Sequence, residues 1–141
     1  RGESVLTDIE RKRAYLERIW YIEEELNNID LEAKQITADA RGISAMEYSD
    51  MPSAHKITDL SDKMVMLEKR MNELRKGKAV LIGEKYRIIN AISSIQNPTH
   101  KRVLWEKYIN KKSNVDIGSQ LGYGEENIKK KVRKALDEIT V

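Results

Sequence analysis

Cysteine is absent from the 141 residues, which excludes a disulfide framework, a thiolate nucleophile and a thiolate metal site, and fits a reducing compartment inside a cell. Long apolar runs are absent too. The longest, among them Ile19 to Ile22 and Ala79 to Ile82, are four residues each, far below the roughly 20 that span a bilayer. A soluble, non-membrane protein is expected. There is no P-loop, no GxGxxG and no nucleophile elbow, and the Glu23-Glu24-Glu25 run is a charged helix face rather than a separable acid and base. No enzyme is expected, and no cofactor. His55 and His100 stand alone, so surface or capping roles are expected of them rather than metal binding. The chain opens on Arg1 with neither a methionine nor a signal-like apolar segment, as a trimmed or truncated form of a slightly longer product would. Only two prolines occur, and 35% of residues are charged against 40% hydrophobic, a balance that suits long helices laced with ion pairs and nearly excludes an all-β fold.

The periodicity supplies those helices. Leu16, Ile19, Ile22, Leu26, Ile29, Ala33, Ile36 and Ala40 recur at steps of three or four, the stripe of an amphipathic helix. Thr7 with Glu10 has capping-box spacing for its start, and Gly42 suits its stop. From about 42 to 57 the period disappears around Pro52, so a connecting loop is expected there. A second stripe then runs through Leu60, Met64, Leu67, Met71, Leu74, Leu81, Ile88, Ile92 and Ile95, interrupted only by Lys78 and Lys85. A helix over about 59–96 would match the first closely enough for an antiparallel, coiled-coil-like hairpin, with Gly77 or Gly83 a candidate kink. The expected fold is all-α: this hairpin over 1–96, pairing through its stripes into a homodimer, followed by a small helix-turn-helix domain over 97–141 that begins at Asn97-Pro98.

The chain carries 26 Lys plus Arg against 23 Asp plus Glu, a net charge of +3. Residues 97–141 hold ten basic and six acidic side chains, so the positive excess lies entirely there and points to a polyanion partner. Ser113 with Asp116 can cap a short helix whose apolar face is Val115, Ile117 and Leu121. Gly118 supplies a small residue where helices cross closely, Gly122 the positive φ of a tight turn, and Tyr123 plugs that turn. Ile128, Val132, Ala135, Leu136 and Ile139 continue the inward face of the next helix. Its opposite face collects Glu126, Asn127, Lys130, Arg133 and Lys134, flanked by Lys129 and Lys131. Such a face suits the major groove of double-stranded DNA, with Asn pairing to adenine, Lys or Arg to guanine, and flanking cations to phosphate. Lys111, Lys112 and Ser113 precede the first helix, where phosphate contacts set its orientation.

From about His100 to Ile139, the aromatic-aliphatic helix ending in Tyr108-Ile109, then Asp116-Ile117-Gly118, Leu121-Gly122-Tyr123 and a basic helix closing on Ala135-Leu136, resembles the fourth region of sigma factors. With the long helices before it, the chain is similar to phage transcriptional regulators of the ArpU and RinA type. That resemblance implies activation of phage genes, often late ones, in the cytoplasm of a bacterial host, by DNA binding near a promoter and contact with host RNA polymerase. Where the sigma-like pattern has Ser or Thr, this chain has Gly124 followed by Glu125 and Glu126, which suit the helix dipole but repel phosphate.

Plainer readings stand beside these. Glu125 with Lys129 and Glu126 with Lys130 are ordinary i,i+4 pairs, so the cationic run also reads as a solvated face. Trp20 and Trp105 read as core or interface anchors, and Met64, Met66 and Met71 as packing. Gly118, Gly122 and Gly124 superficially suit a phosphate loop, but they lie between two short helices, where turn chemistry explains them better. Two rival functions fit the same residues: a protein-interaction module that binds RNA polymerase or another host protein without reading DNA, and a packaging-related DNA-binding subunit.

Overall fold

The computed structural model describes the backbone of residues 2–49 and 54–141 and the side chains of residues 7–46 and 58–141. Every regular element among them is helical: α1 (Gly2–Ser49), α2 (Ala54–Ser93), α3 (Pro98–Leu104) continued by a π-helical turn (Trp105–Ile109), α4 (Asn114–Leu121) and α5 (Glu125–Glu138). No helix among the described residues is long and apolar enough to cross a membrane.

Both ends of α1 differ from the sequence expectation. It begins before Thr7, which lies inside the helix rather than capping it, and it runs through Gly42 to Ser49. Gly42 stops a helix only where the chain turns into the left-handed region; kept helical, it costs about 1 kcal/mol relative to Ala, which a long helix tolerates. The loop expected over 42–57 is helical as far as Ser49 and again from Ala54; residues 50–53, Pro52 among them, lie outside the described residues, as does the side chain of His55. Helix α2 is continuous through Gly77 and Gly83 and ends at Ser93, before Asn97-Pro98.

The chain divides into two compact units, Glu24–Ile82 and Arg1–Glu23 with Gly83–Val141. In the first, the two long helices meet along their stripes. Ile36, Leu60 and Leu74 are buried, while Leu26, Ile29, Met64, Leu67 and Met71 are half-buried, as in a seam with one helix on each side. Arg70 makes a two-pronged ion pair with Glu32, at 2.8 Å and 3.0 Å. Ile29 packs toward Gly77, and Lys78 reaches Asp30 at 2.9 Å. As residue numbers rise on α2 they fall on α1, so the pairing is antiparallel. Lys78, which interrupts the apolar stripe, is thus a cross-helix ion pair at the edge of the seam.

The second unit has the fuller core. Leu16, Ile19 and Ile22 of α1 and Ile88, Ile92 and Ile95 of α2 are buried in it, together with Val103, Leu104 and Tyr108, Ile117 of α4, and Ile128, Val132, Ala135 and Leu136 of α5. The break at Asn97-Pro98 is real but lies within this unit: Asn97 caps α3 by accepting from the N–H groups of Thr99 and His100. Trp20 anchors α1 here, its indole N–H donating to the carbonyl of Tyr108 at 2.9 Å. The Tyr108 hydroxyl is buried without a hydrogen-bond partner, and burial pushes its pKa up to about 12. His100 joins α3 to α5 through Glu138, Nδ1 to Oε2 at 3.1 Å.

Candidate nucleic-acid interface

Helices α4 and α5 are set by local chemistry. Ser113 is extended and its hydroxyl accepts from the N–H of Asp116, so α4 starts where the sequence places it. Gly122 ends α4 with φ of +82°, a conformation that favours glycine. The Gly118 carbonyl accepts from the N–H groups of both Gly122 and Tyr123, at 2.8 Å each. A Cβ at 118 would run into the Tyr123 carbonyl, so glycine is required by the turn folding back on α4 more than by a crossing helix. Tyr123 does not plug the turn. The residue is 37% exposed and its ring carries Lys131 above it, Nζ 4.5 Å from the ring centre, a cation–π contact. Val115, expected on the apolar face of α4, is 54% exposed, while Ile117 is buried and Leu121 half-buried. The last two are four residues apart and share a face that Val115 does not.

Helix α5 is two-sided. Ile128, Val132, Ala135 and Leu136 are buried; Glu126, Asn127, Lys130, Arg133 and Lys134 are exposed on the opposite side. The cations are not equivalent. Lys129 is held by Glu126 at 3.2 Å and Glu125 at 3.8 Å, and Lys131 by Tyr123. Lys130, Arg133 and Lys134 have no ion pair or side-chain hydrogen bond among the described residues. These three line a groove of about 340 Å³ with Asp137 of the same helix and Ile9 of α1.

Lys111 and Lys112 are engaged elsewhere. Lys111, in the left-handed region at φ of +56°, pairs with Glu23 at 2.9 Å. Lys112 pairs with Glu106 at 2.8 Å and donates to Gln120 at 2.6 Å. Glu106 is 6% exposed, and hydrogen bonds from Lys112 and then Asn110 hold its carboxyl below the usual carboxylate range. The pair therefore fixes the turn between the π-helical segment and α4.

No protein-family model, curated protein or solved structure matches the chain. Sequence reasoning missed Ile9, Asp137, Glu23 and Glu106. Ile9 carried a signal, since it stands seven residues before Leu16 and extends the α1 stripe by two helical turns. Glu23 and Glu106 carried none, because only the folded chain brings them to Lys111 and Lys112.

Proposed function

We propose that the chain is a sequence-specific duplex-DNA-binding regulator of transcription, with α4 and α5 acting as a helix-turn-helix and α5 entering the major groove. The observation that carries this reading is the trio Lys130, Arg133 and Lys134, exposed and with no ion pair or side-chain hydrogen bond among the described residues, lying beside Asn127 and opposite a buried stripe. A face whose cations have no internal partner suits phosphate and base edges. Asn127, in the first turn, is the base-reading residue; Lys130, Arg133 and Lys134 supply backbone and guanine contacts. Lys111, Lys112 and Ser113 act indirectly, by setting the angle at which α4 presents α5.

A mobility-shift assay on fragments of the parent genome tests the reading. Selective, salt-sensitive binding by the full chain that weakens in Lys130→Ala and Lys134→Ala supports it. Equal binding by all three proteins, or none, removes it. Point variants are the right control, because truncation after Gln96 would strip Trp20 of its partner Tyr108.

A second reading, a surface for host RNA polymerase or another protein, is favoured by Glu125 and Glu126, which place two exposed carboxylates at the leading turn of α5. Retention of polymerase by a protein that ignores DNA supports that alternative.

A further inference from the structure

The α5 face has a neighbour that bears on its use, if α5 reads duplex DNA as proposed above. The segment Asp8–Lys12 of α1 lies against the far end of α5. Lys12, only 8% exposed, donates from Nζ to the Asp137 carbonyl at 3.1 Å. Arg11 donates from Nη1 to the Val141 carbonyl at 3.0 Å. Asp8 braces both cations, at 2.7 Å and 3.3 Å, and its carboxyl is held below the usual range by hydrogen bonds from Arg11 and then Lys12. On the same segment Ile9, 6% exposed, forms a wall of the groove that Lys130, Arg133 and Lys134 also line.

We propose that Asp8–Lys12 is a clasp that holds the α5 face in a closed, weakly binding state, and that duplex DNA engages it fully only after the clasp lets go. A major groove about 12 Å wide admits one helix, itself 10–12 Å across with its side chains. With α1 flanking Lys130, Arg133 and Lys134, the groove wall cannot reach all three. The first turn, Glu125 to Asn127, lies outside the shared groove, so the closed state keeps a partial approach to DNA. The clasp is also built to open. It is held by two side-chain bonds to carbonyls and one apolar residue, and local unwinding of α1 as far as Lys12 releases them while the core around Leu16 and Ile19 holds the rest of the helix in place.

The test uses the full chain in two forms that move the clasp in opposite directions. Arg11→Ala removes one of its bonds, and duplex binding is expected to tighten about threefold, the scale of a single hydrogen bond. Because this substitution also removes a cation, electrostatics alone predicts weaker binding, so the sign is diagnostic. Ile9→Cys with Asp137→Cys, in a chain that has no cysteine of its own, is joined by a short thiol-to-thiol cross-linker. The joined protein is expected to bind duplex about tenfold more weakly than the same variant left unjoined. Affinity at or below the parent's in Arg11→Ala, with equal binding by the joined and unjoined forms, overturns the clasp and leaves the DNA-reading proposal standing. Absence of duplex binding in every form, the unclasped one included, overturns both.

Discussion

The indole of Trp20 and the ring of Tyr108 stack at 5.4 Å with an interplanar angle of 20°, while the indole N–H donates to the Tyr108 carbonyl at 2.9 Å. One residue of α1 thus grips the segment that carries α4 and α5. The Tyr108 hydroxyl, by contrast, is buried with no partner in hydrogen-bond geometry among the described residues.

These two side chains predict opposite responses. Trp20→Phe removes the donor and is expected to cost about 1–2 kcal/mol, read as a lower urea midpoint at unchanged slope. Tyr108→Phe removes a buried hydroxyl that has no partner in hydrogen-bond geometry among the described residues, with Arg13 its nearby cation, and is expected to leave stability equal or raise it by up to about 1 kcal/mol. The tyrosine also predicts an alkaline effect. With its pKa raised from 10.0 to about 12, its contribution is intact below pH 10 and is lost as pH climbs toward 12. Tyr108→Phe is expected to be less sensitive across that window.

Glycine substitutions separate a required glycine from a tolerated one. Gly118→Ala drives a Cβ against the Tyr123 carbonyl and is expected to cost about 2 kcal/mol or more. Gly42→Ala, in a helix interior with nothing within 4 Å of the new Cβ, is expected to gain about 0.5–1 kcal/mol. Thermal denaturation of both variants checks the pair; destabilisation by both would contradict the helical path through Gly42.

Glu106 predicts the acid limb. Its folded pKa lies below the ordinary 4.5, through hydrogen bonds from Lys112 and Asn110, so its contribution is present above pH 4.5 and is lost as pH falls below it. Urea midpoints measured from pH 6 to pH 3 are expected to fall more steeply in the parent than in Glu106→Gln.

Lys112 and Lys130 are expected to fail differently when changed to alanine. Lys112→Ala leaves the buried Glu106 without its closest cation, so stability falls and DNA affinity changes only through that loss. Lys130→Ala leaves stability within about 0.5 kcal/mol and weakens duplex binding, since its side chain is exposed and has no ion pair or hydrogen bond among the described residues. Asn127→Ala is expected to reduce discrimination between sites more than overall affinity.

Much of the fold is legible in the sequence because it is local. The stripes of α1 and α2, the Asn97-Pro98 break, the Ser113 cap and the positive φ of Gly122 all follow from spacing or from one residue's backbone preference. What escapes is long-range. Gly42 reads as a stop only if the flanking turns do not hold it helical. Trp20 gives no sign that its partner lies 88 positions away. Lys111 and Lys112 look like free cations until folding brings Glu23 and Glu106 to them, whereas Lys130, Arg133 and Lys134 look the same in sequence and have no ion pair among the described residues. The cationic helix is therefore visible in one dimension, but which of its charges are available is a property of three.

The most direct test of the central claim is the salt dependence of duplex affinity for the parent and for Lys130→Ala/Arg133→Ala/Lys134→Ala. Weaker binding is expected of the triple variant, with a slope of log affinity against log salt shallower by about 0.9 for each phosphate that the variant no longer neutralises. Identical affinity and slope in the two proteins would contradict a DNA-reading α5.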